Sequence, residues 1–387
     1  MIKDLFVVAF IADIHFGAMK SDQLYIQLQE YFLKVIDNKR IDMIVFGGDL
    51  FHNIITMNYS TSHIVLMFME NVINLCVKNG IPYIRIIQGT ISHDNNQLHN
   101  FHMFENRSDV DFRIIMSVEE EHLVREDIKV LYIPEEYMRD PKEYYEDYLE
   151  NADKKYDFIF GHGMVKEVAF IAKNQESENT MSKAPIFDSK QLINCCKGPI
   201  YFGHIHTHTV VHEHLVYPGS FSRFRFGEEE DKGWILCMYN RKTGKYISEF
   251  VENKLAPTYI TVTVKLEGKY VDDPGAVEAV VNQIHADYIR LVCLIKEESS
   301  YAIQYLTELY KNNPSVKVQI KNQLQQEKEA AEQKLMDEVM DKYSFVFDKS
   351  LTTNQIIRKF IQVKYDKDVP LEIIDDELKD VEKPVGG

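Results

Sequence analysis

The sequence predicts an α/β fold, a sheet with helices on its faces. Short, continuous apolar runs alternate with segments whose apolar residues recur at helical spacing. Several of those runs also end on glycine beside aspartate or histidine, as strands do when their carboxyl ends carry a site.

Phe6–Ala12 is an unbroken apolar run, as in a strand covered on both faces. Ser21 and Asp22 offer N-caps to a helix with Leu24, Leu28, Phe32 and Val35 on one stripe. Met43–Phe46 is the second strand. Thr61 or Ser62 caps the next helix, which carries Ile64, Phe68, Val72 and Leu75 and is ended by Gly80. Tyr83–Ile87 is the third strand, completing β-α-β-α-β. Strands then crowd together at Val130–Ile133, Phe158–Phe160, Ile200–Phe202, Val210–His212, Leu215–Tyr217, Trp234–Met238 and Tyr246–Phe250, with a polar loop over Lys173–Lys183. A new unit begins near Leu255-Ala256-Pro257: strand Tyr259–Val264, helix Gly275–Ala286, strand Ile289–Ile295, helix Tyr301–Lys311. Gln319–Lys342, rich in Glu, Gln, Lys and Ala, is expected to be helical. Leu351–Tyr365 is expected to form a short amphipathic helix with Ile356, Phe360 and Val363 on its face, before an acidic tail from Asp375 that is expected to be disordered. The implied domains are 1–252, 253–318, 319–374 and the tail 375–387.

The 387 residues allow two or three domains at about 150 residues each. A composition 45% hydrophobic and 27% charged excludes global disorder. The net charge of −16 argues against a protein that coats nucleic acid through bulk positive charge. A nucleic-acid enzyme remains open, because metal ions or a partner can supply positive charge locally. No apolar run approaches the roughly 20 residues of a membrane span, and Leu5–Ala12 runs into Asp13-Ile14-His15, which is no cleavage site. The five cysteines show no CxxC spacing, which points to reduced thiols and a cytoplasmic location.

The histidines carry most of the chemistry. One strand ends in Asp13-x-His15. The next ends in Gly47-Gly48-Asp49 with His52 beyond, and the third in Gly89-Thr90-Ile91-Ser92-His93-Asp94. Later strands end in Gly161-His162 and in Gly203-His204-Ile205-His206. Residues two apart in extended chain point the same way, so Asp13 with His15, and His204 with His206, can each reach one ion. Carboxylate and imidazole together suit Mn²⁺, Fe²⁺ or Zn²⁺, and the absence of cysteine argues against a structural zinc cage. There are more ligands than one ion needs, which suggests two ions sharing a carboxylate, the arrangement for phosphoester hydrolysis. Taken singly, GGD is an ordinary turn and GHG a loop histidine; five stations in one chain outweigh that reading. His208, His212 and His214 alternate beyond the cluster and read as solvated or structural, as do His63, His99, His102, His122 and His285.

In this order, DxH, GGD, a station ending HD, GH and GHxH resemble the calcineurin-like metallophosphoesterase superfamily. Gly47-Gly48-Asp49-Leu50-Phe51-His52, and Tyr217-Pro218-Gly219-Ser220 followed by Phe226-Gly227-Glu228, resemble the SbcD-type DNA-repair nucleases over roughly residues 1–250. The resemblance implies a metallophosphoesterase β-sandwich flanked by helices, a small α/β capping domain, and C-terminal helices that dock on an SbcC-type ATPase. It implies Asp13, His15, Asp49 and His206 around one ion, and Asp49, His162 and His204 around a second. His93, backed by Asp94, would steady the phosphate and protonate the leaving oxygen, with His52 near the scissile phosphate. The ions would be two divalent cations, Mn²⁺ first and Mg²⁺ as the alternative. The third station departs from the family's GNHD: Ser92 stands where asparagine is usual, and a hydroxyl is the weaker ligand. Thr90 or a water are the alternatives for that position.

The implied function is hydrolysis of DNA, at double-strand ends and single-strand regions, by a homodimer working with the ATPase and no membrane. Two alternatives stand beside it: a metallophosphoesterase acting on nucleotides, lipids or phosphoproteins, and a catalytically weakened DNA-end tether. About 130 residues beyond the catalytic domain favour the nuclease. Phe345, Phe347, Ile356, Ile357, Phe360 and Ile361 either dock on a coiled-coil partner or pack on their own domain.

Overall fold

The computed structural model describes residues 4–53, 59–106, 109–149, 155–169, 185–267, 270, 273–295, 300–322, 334, 342, 351–365 and 367–374. The chain forms two compact units, Met1–Ile260 with Ala286–Tyr288, and Thr261–His285 with Ile289–Gly387.

Fourteen of the described strands precede Thr261. They are β1 Leu5–Ile11, β2 Met43–Phe46, β3 Tyr83–Ile87, β4 Asp111–Ile115, β5 Glu119–Leu123, β6 Ile128–Ile133, β7 Phe158–His162, β8 Met164–Val165, β9 Ile186–Phe187, β10 Ile200–Gly203, β11 Thr209–His212, β12 Leu215–Tyr217, β13 Gly233–Asn240 and β14 Tyr246–Glu252. One six-stranded sheet has the order β14-β13-β1-β2-β3-β4 and the other β11-β12-β10-β7-β6-β5. In the first, β1 to β4 are parallel neighbours and β13 and β14 join antiparallel. In the second, β6, β7, β10 and β12 are parallel, with β5 and β11 antiparallel at the edges.

The sheets pack face to face through aromatic residues. Phe6, Val8 and Phe10 of β1 share one core with Phe158 and Phe160 of β7 and Tyr201 of β10, and Phe10 stacks on Phe160 at 5.7 Å. The alternate residues Val7, Ala9 and Ile11 face the opposite way, into a core with helices α1 Ser21–Leu28, α2 Lys34–Asp37 and α3 Tyr59–Asn79. A π-helical turn, Gln29–Leu33, joins the first two. On the other sheet, α4 Pro141–Leu149 and α5 Ser189–Cys195 cover the outer face. Helices on both outer faces explain why the strands read as continuous apolar runs. The fold is therefore α/β, a two-sheet sandwich flanked by helices.

Ser60–Asn79 is, among the described residues, long and apolar enough to cross a membrane, with a mean hydropathy of 1.2. It is not an unbroken apolar run, since Glu70, Asn71 and Asn74 interrupt it. Its Val65, Phe68, Met69, Val72, Ile73 and Cys76 are buried in the core beside the first sheet. All five cysteines are buried thiols outside any disulfide.

A buried ion pair crosses the inner layer. Arg85 of β3 is fully buried. Its guanidinium donates to Glu121 of β5 in the other sheet at 2.9 and 2.6 Å, and Tyr132 of β6 donates to the same carboxylate at 2.7 Å.

The second unit carries a sheet ordered β15-β16-β17, from β15 Tyr259–Lys265, β16 Tyr288–Ile295 and β17 Val316–Asn322, with helices α6 Gly275–Val281 and α7 Ser300–Tyr310. Here the structure corrects the expected helix over Gln319–Lys342. Gln319–Asn322 completes β17, paired parallel with β16 from Ile289↔Val316 to Ile295↔Asn322. Val316, Val318 and Ile320 alternate, and pairing with an apolar strand overrides the helix-favouring composition. The expected boundary at residue 318 thus falls inside a strand. Of residues 323–342 only Lys334 and Lys342 are described, both helical. The helix expected over Gly275–Ala286 stops at Val281.

The expected C-terminal helix is present as α8 Thr353–Tyr365, with no residue buried. It starts on a capping box: Thr352 N–H donates to Gln355 Oε1 at 2.8 Å, and Gln355 N–H to Thr352 Oγ1 at 3.3 Å. The loop Lys173–Lys183, Phe345, Phe347 and the tail from Asp375 lie outside the described residues.

Candidate metal centre

The parallel strands of the two sheets bring their carboxyl ends to one place. Asp13 and His15 follow β1, Asp49 follows β2, Thr90 follows β3, and Glu135 follows β6. His162 ends β7, and His204 and His206 follow β10. The first two loops are laced together: Asp13, His15 and Phe16 donate backbone N–H bonds to the carbonyls of Gly48, Asp49 and Leu50 at 3.1, 3.0 and 2.8 Å.

The backbone here is strained. Asp13, His15, Asp49 and His204 have φ of 51°, 52°, 50° and 96°; Asp127 is the one other described non-glycine residue in that region. The left-handed region costs an ordinary residue roughly 1–2 kcal/mol, and such conformations concentrate at functional sites. Close approach also requires glycine. A Cβ on Gly89 would lie 2.1 Å from the Asp49 nitrogen, and one on Gly48 would lie 2.2 Å from His162 Nδ1.

The side chains form two adjoining groups. Asp13, His15 and His206 present ligand atoms within 4.8 Å of one another, as do Glu135, His162 and His204. His15 and His206 meet through their Nε2 atoms at 2.8 Å. In the second group, Glu135 Oε2 lies 2.9 Å from His204 Nδ1 and 3.9 Å from His162 Nε2. Asp49 stands between them, with Oδ1 3.4 Å from His162 Nε2 and Oδ2 3.8 Å from His15 Nε2. This is the position of a shared carboxylate. Supporting contacts orient the rings. His162 Nδ1 pairs with the Gly47 carbonyl at 2.8 Å, turning Nε2 inward. Behind His206, Glu228 lies 3.4 Å from Nδ1, and the buried Lys232 donates to the His206 carbonyl at 2.8 Å.

Three buried carboxylates, Asp13, Asp49 and Glu135, lie in this cluster; Asp49 and Glu135 pair with histidines, and Asp13 accepts the His204 backbone N–H at 3.0 and 3.1 Å. Burial disfavours the His162 imidazolium, yet Asp49, Asp13 and Glu135 together hold that ring well above the usual histidine range. Burial also opposes the Asp49 anion, yet the charge and hydrogen bond of His162 hold its carboxyl well below the usual range. Burial, then His206, keeps His15 well below it, neutral with a lone pair to offer. Buried carboxylates faced by imidazoles at these distances mark a cluster short of positive charge. Divalent cations fit that deficit, and oxygen and imidazole donors without a thiol fit Mn²⁺ and its neighbours.

The structure brings Asp13, His15, Asp49, His162, His204 and His206 into this cluster. His52 and His93 gather beside His15, with ring centroids 5.5 and 4.9 Å from it. Two expected roles look different in the structure. Asp94 accepts backbone N–H bonds from Asp49 and Gly89 at 2.9 and 2.8 Å through Oδ2, and from Phe51 at 3.1 Å through Oδ1. It therefore clips the second and third loops together instead of backing the His93 ring, whose Nδ1 meets the His52 carbonyl. Burial, with the charge of Asp49, pushes Asp94 up to about 7. Ser92 is exposed and outside the cluster. Thr90 is the third-station residue against Asp49: its N–H donates to Oδ1 at 2.6 Å and its hydroxyl to Oδ2 at 3.3 Å. His208 pairs with the Tyr217 carbonyl at 3.0 Å and His214 with Tyr246 at 2.8 Å, both structural. Glu135 is the member that the sequence motifs miss. Its signal is position alone, since it follows an apolar strand, as the other candidates do, but after proline instead of glycine.

No family model matches the chain, and no curated protein matches it. Among solved structures, a hypothetical protein from Thermus thermophilus aligns at 11% identity over 64% of this chain and 99% of that one, with a TM-score of 0.34. The cold-active protein-tyrosine phosphatase of the psychrophile Shewanella sp. aligns at 13% identity over 63% of this chain and 80% of that one, with a TM-score of 0.28.

Proposed function

We propose that this chain is a metal-dependent phosphodiesterase, an SbcD-type nuclease acting on DNA. The observation that carries the reading is the convergence of Asp13, Asp49, His15, His162, His204 and His206 from two sheets onto one buried, cation-deficient cluster. Asp13, His15 and His206 would hold one divalent ion, His162 and His204 a second, and Asp49 would serve both; Mn²⁺ suits the set, with Mg²⁺ second. When bound, such a pair clamps a phosphate and lowers the pKa of water toward neutrality. His93 and His52 are only partly buried. With its Nδ1 on the His52 carbonyl, His93 keeps Nε2 for a phosphate oxygen or for protonating the leaving group.

The chain's acidity is compatible with DNA if an SbcC-type ATPase lends basic surface. The helix α8, with no residue fully buried and with Ile356 and Phe360 on its apolar face, is the element we assign to that docking. A homodimer in the cytoplasm completes the reading.

The test is the purified full chain with Mn²⁺, with and without its ATPase, on double-stranded ends and single-stranded DNA. Mn²⁺-dependent cleavage, abolished by chelator, is expected. Hydrolysis confined to nucleotides or phosphoproteins would move the reading to the general metallophosphoesterase. DNA binding with no cleavage under any of these conditions would leave the end tether.

A further inference from the structure

We propose that Glu135 is a direct ligand of the second cation, supplying the donor that the third station lacks, and that this site selects an oxygen-preferring divalent ion. The inference rests on the two-ion reading above and deepens it.

The third-station loop is not built to supply that ligand. Ser92 faces solvent. Thr90 reaches the cluster, its N–H and hydroxyl donating to Asp49 at 2.6 and 3.3 Å, and its hydroxyl oxygen offers a neutral donor only. Glu135, in contrast, is wholly buried. Its backbone is held by Gln88 in both directions: Glu135 N–H donates to the Gln88 carbonyl at 3.2 Å, and Gln88 Nε2 donates to the Glu135 carbonyl at 3.3 Å. Tyr137 donates to Oε1 at 2.7 Å. That leaves Oε2 directed at His204 and His162, with the Thr90 hydroxyl 3.5 Å away. One oxygen anchored by a neighbour and the other aimed at imidazoles is the arrangement of a supported metal ligand.

Charge makes the same case. A buried carboxylate is costly unless it is paired or coordinates a metal, and the ion-pair partners of Glu135 among the described residues are two imidazoles. With Asp49, Glu135 gives the second ion two carboxylates and two imidazoles. A neutral amide or hydroxyl in its place would give one carboxylate. The added anionic oxygen shifts preference from Zn²⁺ toward Mn²⁺ and Mg²⁺.

The test uses the full chain, stripped of metal with chelator and titrated with Mn²⁺. Stoichiometry and affinity are read by calorimetry, and spin coupling between ions by electron paramagnetic resonance. The wild type should take two ions and show a coupled spectrum. Glu135→Gln, close in shape but uncharged, should keep the first ion, weaken the second at least about tenfold and show an uncoupled spectrum. Ser92→Ala should leave both ions unchanged. Should Glu135→Gln not fold, Glu135→Asp, which withdraws the carboxylate by one methylene, should weaken the second ion alone. Two ions bound within about threefold of wild-type affinity in the folded Glu135 variant, or loss of the second ion in Ser92→Ala, would overturn the proposal. A wild type that binds no Mn²⁺ would instead overturn the two-ion reading itself.

Discussion

Asp49→Asn is expected to lower Mn²⁺-dependent phosphodiester hydrolysis by at least about a thousandfold, roughly 4 kcal/mol of transition-state stabilisation. Asp49 faces both groups, with Oδ1 toward His162 and Oδ2 toward His15. Asparagine keeps the shape and one acceptor, so the Thr90 N–H can still be met. It removes the charge that two neighbouring cations would share. The fold should therefore survive while ion binding and turnover fall together. Steady-state kinetics on a DNA substrate, beside a thermal melt, separates the two effects. Activity within tenfold of wild type would mean that Asp49 does not bridge.

Arg85→Met is expected to destabilise the first unit by about 3–5 kcal/mol, the penalty for leaving a buried charge without its partner. The guanidinium is fully buried in β3 and spans the sandwich to Glu121, whose side chain is 5% exposed. Without it, Glu121 keeps Tyr132 at 2.7 Å and the half-exposed Arg113 at 3.2 Å, which offset only part of the loss. The paired variant Arg85→Met with Glu121→Leu should regain much of it, since replacing a whole buried ion pair by apolar groups is often near neutral. Urea unfolding of the two variants measures this. A loss below about 1 kcal/mol for Arg85→Met would show that the pair does not join the sheets energetically.

The elements that periodicity shows are those buried on both faces, such as Phe6–Ala12 and Met43–Phe46, where nothing polar interrupts the run. Two of the elements it misses are edge strands. β4 (DFRII) and β5 (EEEHL) each show one face to water, and their charged residues break the apolar run that marks a strand. β17 is missed for a different reason: its Lys and Gln residues match a helical composition, and only pairing with β16 makes it a strand. The site is legible wherever a strand end, a glycine and a metal-binding side chain coincide. Glu135 has no glycine beside it, and Thr90 is not a usual ligand. Ser92 stands out by counting back from His93, whereas the loop places Thr90 against Asp49. Asp94 reads as the partner of the adjacent His93, but its carboxylate turns to backbone N–H groups that only the folded loops bring near.

The central claim is that distant loops hold two divalent cations side by side, and anomalous diffraction from crystals soaked in Mn²⁺ tests it most directly. Two peaks are predicted, one among Asp13, His15 and His206 and one among Glu135, His162 and His204, with Asp49 between them. Soaked crystals with no peak at this cluster, or with Mn²⁺ only elsewhere on the surface, would contradict it.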